Sequence, residues 1–138
     1  MEQKFIDNYH RSIELTELLF NYLKANTDYD ISLSYTVSFI NYFKYSDLGQ
    51  AEIHIKVNNI LNSIICIHSY LVENDLPFIF HLWKYKGGDN GHNYKDISFC
   101  DSLDDENFCL WCLDYINEFF GFNKINKGYK QLSLFDFI

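Results

Sequence analysis

Apolar side chains recur at three- and four-residue steps over the first part of the chain, which is the spacing of one face of an amphipathic helix. The recurring positions are Phe5, Ile6, Tyr9, Ile13, Leu18, Leu19 and Tyr22 or Leu23. Glutamate, lysine and asparagine are common between them. The pattern predicts a helix from residue 2 to about residue 25, ended by the polar stretch NTDYD.

The next segment, ISLSYTVSFINYF at 31–43, begins with a strict alternation of apolar and hydroxyl-bearing residues. Its apolar positions are Ile31, Leu33, Tyr35, Val37 and Phe39. A period of two, with β-branched and aromatic residues, is typical of a strand that has one solvated face. We therefore expect a strand here.

The segment AEIHIKVNNILNSIICIHSYLVEND, at 51–75, carries two periods. Its first seven residues alternate as a strand would. Helical steps fit the later apolar positions better, and these are Val57, Ile60, Leu61, Ile64, Ile65, His68, Leu71 and Val72. The pattern predicts a helix over at least 57–73 and leaves 51–56 open between strand and helix.

A hairpin and a third helix follow. LPFIFHLWKY at 76–85 predicts a strand, GGDNG at 87–91 is rich in residues that tolerate a positive φ, and HNYKDISF at 92–99 predicts the returning strand. Ser102 and Asp105 resemble a capping box for a helix from about 103 to 120, with Gly121 as its C-cap.

This order of elements predicts an α+β fold, in which a small antiparallel sheet packs against two or three helices. The length of 138 residues suits one domain that buries its own core. We expect a single acidic α+β domain over 1–122, followed at 123–138 by a flexible linker and a C-terminal peptide.

The formal net charge is −8, from 11 basic and 19 acidic residues. Direct DNA binding is not expected, because it requires a basic face that displaces counterions. The carboxylates of a candidate acidic surface are Asp101, Asp104, Asp105, Glu106, Asp114 and Glu118. Such a surface could imitate nucleic-acid phosphates and block a basic nucleic-acid-binding enzyme, such as a restriction or CRISPR nuclease. An ordinary solvated acidic surface is the alternative.

Cys109 and Cys112 have the C-x-x-C spacing that can bind zinc or support thiol exchange. They lie inside the third predicted helix, after an acidic turn that would raise a thiol pKa, so we expect buried packing residues. We predict no metal or cofactor. The chain lacks phosphate-loop and G-x-S-x-G motifs, and we predict that it is not an enzyme.

The N-terminal residues lack the apolar core of a signal peptide. No apolar run is as long as a membrane span, which needs about 18 residues. We therefore expect a cytoplasmic protein without membrane contact, whose four cysteines stay reduced.

Asn, Ile, Lys, Phe and Tyr are common while Ala and Arg are scarce. This composition is typical of an AT-rich genome, such as that of a low-GC bacterium, its phage or a mobile element.

The chain closes with QLSLFDFI at 131–138. Its first five residues resemble the bacterial sliding-clamp-binding motif, whose common form is Q-L-[SD]-L-F, and all five positions match. The resemblance implies the DNA sliding clamp as partner, with Gln131 as polar anchor. It also implies that Leu134 and Phe135 fill an apolar pocket on the clamp, flanked by Leu132.

The same residues are similar to the eukaryotic and archaeal clamp-interacting box, Q-x-x-h-x-x-a-a. Gln131, Leu134 and Phe137 fit this box, but Ile138 stands where an aromatic residue is expected. The bacterial form is therefore the closer match. The alternative is a C-terminal strand packed on the domain, with apolar residues on both faces. The sequence thus predicts an interaction protein of the replication machinery and leaves the task of the domain open.

Overall fold

Five antiparallel strands and two helices form the described part of the protein, a computed structural model that describes residues 2–37, 49–57, 61–69, 75–85 and 92–122. The elements are α1 (Glu2–Asn26), β1 (Ile31–Val37), β2 (Gly49–Val57), β3 (Leu61–Ser69), β4 (Phe78–Tyr85), β5 (His92–Phe99) and α2 (Asp105–Phe120). The strands lie in chain order, and each neighbouring pair is antiparallel. The predicted α+β class is confirmed.

One face of the sheet carries the hydrophobic core beneath the helices. Its buried residues are Ile31, Ala51, Ile53, Ile55, Ile65, Ile67, Phe78, Phe80, Leu82 and Phe99. They alternate along each strand because successive side chains point to opposite faces. α1 lies over β1, β2 and β3, while α2 packs against β4 and, through the rings of Phe108 and Trp111, against Phe99 of β5.

Thr16 connects α1 to the middle of the sheet. Its hydroxyl donates to the carbonyl of Ser12 at 2.9 Å and accepts from the backbone amide of Ile67 at 3.2 Å. The ladder between β2 and β3 ends with Ile53 opposite Ile65, so Ile67 lies beyond its last pair. Thr16 is fully buried and supplies the acceptor that β2 does not provide. A buried amide left without a partner costs about 1–3 kcal/mol.

The helix predicted over 57–73 is wrong, because β2 runs to Val57 and β3 covers Leu61–Ser69. The undecided residues 51–56 belong to β2, and 70–73 lie outside the described residues. β3 is the central strand, and side chains on both of its faces are buried: Ile65 and Ile67 meet the helices, and Cys66 on the other face is 1% exposed. Such a strand has a continuous apolar run, which periodicity cannot distinguish from a buried helix.

The ends of α2 are set by two residues. Asp104, rather than Ser102, is the N-cap, and its Oδ1 accepts from the amide of Asn107 at 2.9 Å. The predicted C-cap is confirmed: Gly121 has φ 75°, and its amide donates to the carbonyl of Asn117. Glycine adopts this left-handed conformation without steric cost. Two further acidic residues, Asp105 and Glu106, follow the N-cap in the first turn of α2.

Candidate functional site

The six carboxylates predicted from the sequence lie on the segment 101–120, which contains neither lysine nor arginine. All six residues are exposed. Those grouped at the N-terminus of α2 are Asp101, Asp104, Asp105 and Glu106. The helix dipole and the first-turn amides, which lack partners within the helix, stabilise negative charge there. We name the six residues together the acidic segment.

Arg11 of α1 neutralises part of the acidic segment. Its Nε donates to Asp101 Oδ2 at 2.7 Å, and its Nη2 lies 3.9 Å from Asp105 Oδ1. A further bond, from Nη1 to Glu14 at 3.2 Å, stays within α1. The hydrogen bond with Asp101 is the largest cause that raises the pKa of Arg11. Arg11 thus ties the start of α2 to α1 and reduces the negative charge at this end.

Asp114 and Glu118 extend the negative charge along the exposed side of α2. Four residues apart, they lie on the same side, separated by about 6 Å along the helix axis. One strand of duplex DNA has a phosphate about every 3.4 Å along its axis. The row of carboxylates on α2 is therefore roughly half as dense as the phosphates it would imitate.

Two lysines of the sheet flank the C-terminal half of α2. Lys84 Nζ donates to the carbonyl of Phe119 at 3.4 Å and lies 5.5 Å from the centre of its ring. Lys95 Nζ lies 5.3 Å from the centre of the Tyr115 ring. A cation near the end of a helix interacts favourably with its dipole. The two lysines therefore place positive charge between the sheet and the C-terminal half of α2.

Cys109 and Cys112 are buried in the inner side of α2, with 1% and 0% of their surface exposed. Burial, followed by the charges of Asp105 and Glu106, raises the pKa of Cys109 to about 12. Burial also raises the pKa of Cys112. Both thiols are therefore protonated at neutral pH, a state unsuited to nucleophilic chemistry or metal binding. Cys100, just before α2, is by contrast an exposed free thiol.

A cluster that sequence reasoning missed lies on the face of the sheet away from the helices. Cys66 of β3 is opposite His81 of β4, and His81 is opposite Asp96 of β5. Cys66 Sγ lies 3.2 Å from His68 Nε2, the rings of His68 and His81 are 5.4 Å apart, and His81 Nδ1 lies 2.5 Å from Asp96 Oδ1. We name these four residues the open-face cluster.

The open-face cluster holds its buried members in their neutral forms. Burial, and then the neighbouring His81, lowers the pKa of His68 to about 4. Burial raises the pKa of the Cys66 thiol, and the charges of Glu52 and Asp96 act in the same direction. A protonated thiol beside a neutral imidazole is not an activated nucleophile. Within the described ranges, no three His, Cys, Asp or Glu side chains are grouped so that they could hold a metal ion.

Periodicity could not reveal this cluster, because its members are 15 residues apart on three strands, as Cys66, His81 and Asp96 show. Only the strand register brings them together. The erroneous helix also placed His68 on a helical face. The usable signal is the stretch SIICIHS, in which Cys66 and His68 alternate with isoleucines of strong β propensity.

The clamp-binding residues predicted from the sequence are Gln131, Leu132, Leu134, Phe135 and Phe137. They lie outside the described residues, as does the whole range 123–138. The described chain ends two residues after α2, with Phe122 stacked on Tyr29 at 4.5 Å between ring centres. The structure therefore describes the chain up to Phe122, and the motif stays a prediction.

Neither α1 nor α2 is both long and apolar enough to cross a membrane, and no other helix occurs in the residues that the structure describes. Comparisons with protein-family models, with curated proteins and with solved structures find no match to this chain.

Proposed function

We propose that this chain is a cytoplasmic, non-enzymatic interaction protein that attaches to the DNA sliding clamp through residues 131–135. The single observation that carries the proposal is QLSLF, which matches the bacterial clamp-binding motif at every position. Gln131 would be the polar anchor, while Leu134 and Phe135 would fill the pocket of the clamp. A few aliphatic and aromatic anchors supply most of the affinity of a small interface, which suits so short a motif.

The chain between the domain and the motif is compatible with this role. Residues 123–130 carry Lys124, Lys127 and Lys130 and no acidic residue, in contrast to the acidic segment. Eight residues can span at most about 29 Å when fully extended. The motif could therefore bind a clamp while the domain stays free to act on another molecule. A basic linker also favours association with an acidic clamp surface.

The test titrates the full-length chain against a bacterial sliding clamp by calorimetry. A double substitution, Leu134→Ala with Phe135→Ala, is expected to weaken binding at least about 30-fold, since truncation of an anchor costs about 2 kcal/mol or more. Ser133→Ala is the matched control and should change affinity by less than about threefold. A wild-type chain that does not bind the clamp would end this proposal.

Single substitutions distinguish the bacterial motif from the eukaryotic and archaeal box. With a bacterial clamp, Phe135→Ala should reduce affinity strongly and Phe137→Ala should reduce it little. A eukaryotic or archaeal clamp should show the opposite order, because Phe137 is the aromatic residue that fits its box. Equal losses from both substitutions with the bacterial clamp would contradict the assignment of Phe135 as the pocket residue.

The second candidate function is that of an acidic decoy, favoured by the absence of lysine and arginine from the exposed acidic segment. In this function α2 occupies the nucleic-acid site of a basic enzyme, such as a restriction or CRISPR nuclease. Electrostatic complementarity would speed its association and make inhibition sensitive to salt. Tethering to the clamp and inhibition are compatible in one protein.

The decoy is tested by neutralising Glu106, Asp114 and Glu118 to the matching amides, which retains the N-cap and the ion pairs of Arg11. The triple variant should lose inhibition of DNA binding by such nucleases on the order of tenfold. The matched control changes three other exposed carboxylates, Asp7→Asn, Asp30→Asn and Asp75→Asn, for the same change in net charge. Equal behaviour of the two variants would reject a specific acidic surface.

A further inference from the structure

The two outer strands of the sheet differ in how they are protected against pairing. In the described ranges, neither β1 nor β5 has a partner strand on its outer side. An edge strand presents unpaired backbone amides and carbonyls, which can template a strand of another molecule. β5 carries Lys95 and Asp96 at its centre, and charges there discourage such pairing. β1, with the sequence ISLSYTV, has no charge, no proline and no glycine.

The hydrogen-bond phase of β1 shows which backbone groups face outward. The amide of Lys56 donates to the carbonyl of Asp30 at 3.0 Å, and the register of β1 with β2 places these residues opposite each other. Hydrogen-bonded and non-hydrogen-bonded pairs alternate in an antiparallel ladder. Ser32 and Ser34 therefore direct their backbone groups towards β2. The odd-numbered residues of β1 direct theirs to the outer edge.

We propose that β1 pairs antiparallel with β1 of a second copy of this chain, with the two-fold axis at Ser34. This register places Leu33 opposite Tyr35 of the other copy, and Ile31 opposite Val37 of the other copy. The two-fold axis repeats both pairs with the copies exchanged, which makes four pairs. Each pair can exchange two hydrogen bonds, because all its members have outward-facing backbone groups. The result is a continuous ten-stranded sheet.

The alternation of inward- and outward-facing residues along β1 restricts the possible registers. A register that places odd-numbered residues opposite even-numbered ones would fail, because the backbone amides and carbonyls of the even-numbered residues already bind β2. Only odd–odd pairing satisfies both edges, and it directs the helices of both copies to the same side of the sheet. Centring on Ser34 pairs all seven residues of β1, from Ile31 to Val37. Any other odd–odd register leaves some outward-facing groups without a partner.

The side chains of β1 suit this symmetric pairing. On the helix side, the half-buried Leu33 would meet Tyr35 of the second copy, whose side chain is 56% exposed and whose hydroxyl bonds Glu17 of α1. On the other side, Ser34 would meet Ser34. Apolar–aromatic and hydroxyl pairs both stabilise antiparallel strands, and no like charges face each other.

Mass measurement by sedimentation and light scattering over a concentration series tests the proposal with the full chain. The wild type should dimerise. Ser34→Lys and Ser34→Glu should each weaken the dimer on the order of tenfold, since the two Ser34 Cα atoms would be about 4.5 Å apart and like charges would face each other. A mixture of the two variants should form a heterodimer with affinity close to that of the wild type, because opposite charges then meet.

Asn93→Lys on the exposed β5 edge is the matched control and should leave dimerisation unchanged. Circular dichroism of every variant establishes that the sheet is retained. A wild-type chain that stays monomeric throughout overturns the proposal, and so does a dimer that tolerates both charges at Ser34. If the two charged variants stay monomeric when they are mixed, this two-fold register is excluded. If Asn93→Lys abolishes the dimer, the interface lies at β5 instead of β1. The outcome is independent of clamp binding, which depends on residues 131–135.

Discussion

The sheet face beneath the helices is mostly apolar, whereas its opposite face places serine, histidine, cysteine and carboxylate side chains among its hydrophobic ones. Adjacent residues of β4 show the contrast: Phe80 is fully buried under α2, and its neighbour His81 holds the carboxylate of Asp96. The helix face therefore stabilises the fold through burial, which pH hardly affects. The opposite face adds a contribution that depends on protonation.

The largest effect is expected from the helix face. Phe80→Ala should lower the free energy of unfolding by about 3–5 kcal/mol, because it leaves a cavity among the rings of Trp111 and Tyr115. Ile79→Ala, one residue away on the half-buried opposite face, should cost less than half as much. Urea unfolding measures both values. Equal losses would show that the two faces are packed alike.

Acidification should reveal the contribution of the opposite face. The pKa of His68 is about 4 in the folded protein and near 6.5 in the unfolded chain, so the unfolded state binds the proton more strongly. Stability is complete above pH 6.5 and falls as the pH approaches 4, by about 3 kcal/mol from this residue. His68→Gln should lose this part of the pH dependence. The exposed His10→Gln should retain it, and identical pH profiles for both variants would contradict the assignment.

Thr16→Val should cost about 1–3 kcal/mol, although it keeps the size of the side chain, because the amide of Ile67 would lose its acceptor on the helix face. Thr16→Ser keeps the hydroxyl and serves as the control. Hydrogen exchange of the Ile67 amide provides a local readout. Unchanged protection in Thr16→Val would show that this amide has another partner.

The smallest effect is expected at the surface. Asp104→Ala removes the N-cap of α2 and should cost about 1 kcal/mol in thermal unfolding. Asp104→Asn should avoid most of this loss of stability, since the side-chain amide oxygen of asparagine can also accept from the backbone amide of Asn107. A loss as large as that of Phe80→Ala would mean that the cap supports the core as well as the helix end.

Segments with a single clear period could be predicted from the sequence, whereas the segment 51–75, which carries two periods, could not. α1 and the hairpin of β4 and β5 show clear periods and were placed close to their observed bounds. β1 begins at Ile31 as predicted, and 38–43, the rest of the predicted strand, lie outside the described residues. β3 was taken for part of a helix because its open-face side chains, Ile64 and Cys66, are apolar or buried as well. Its identity as the central strand follows only from pairing with both neighbours.

Candidate sites followed the same rule. The acidic segment could be found because its carboxylates are close in sequence, whereas its partner Arg11 is 90 residues from Asp101. The open-face cluster requires the registers of three strands, which no single segment encodes. Short stretches of sequence therefore show where charged residues are grouped, while the residues that neutralise them are brought near only by the fold.

The sheet order has a consequence for how the chain folds. Each strand after β1 pairs with the strand that precedes it along the chain, so every ladder is a hairpin between neighbouring segments. Closing a hairpin between neighbouring segments costs less loop entropy than pairing strands that are far apart in the sequence. The sheet can grow strand by strand as the ribosome releases it. Only the docking of α1 onto β3 must wait until Ile67 has been synthesised and can reach Thr16.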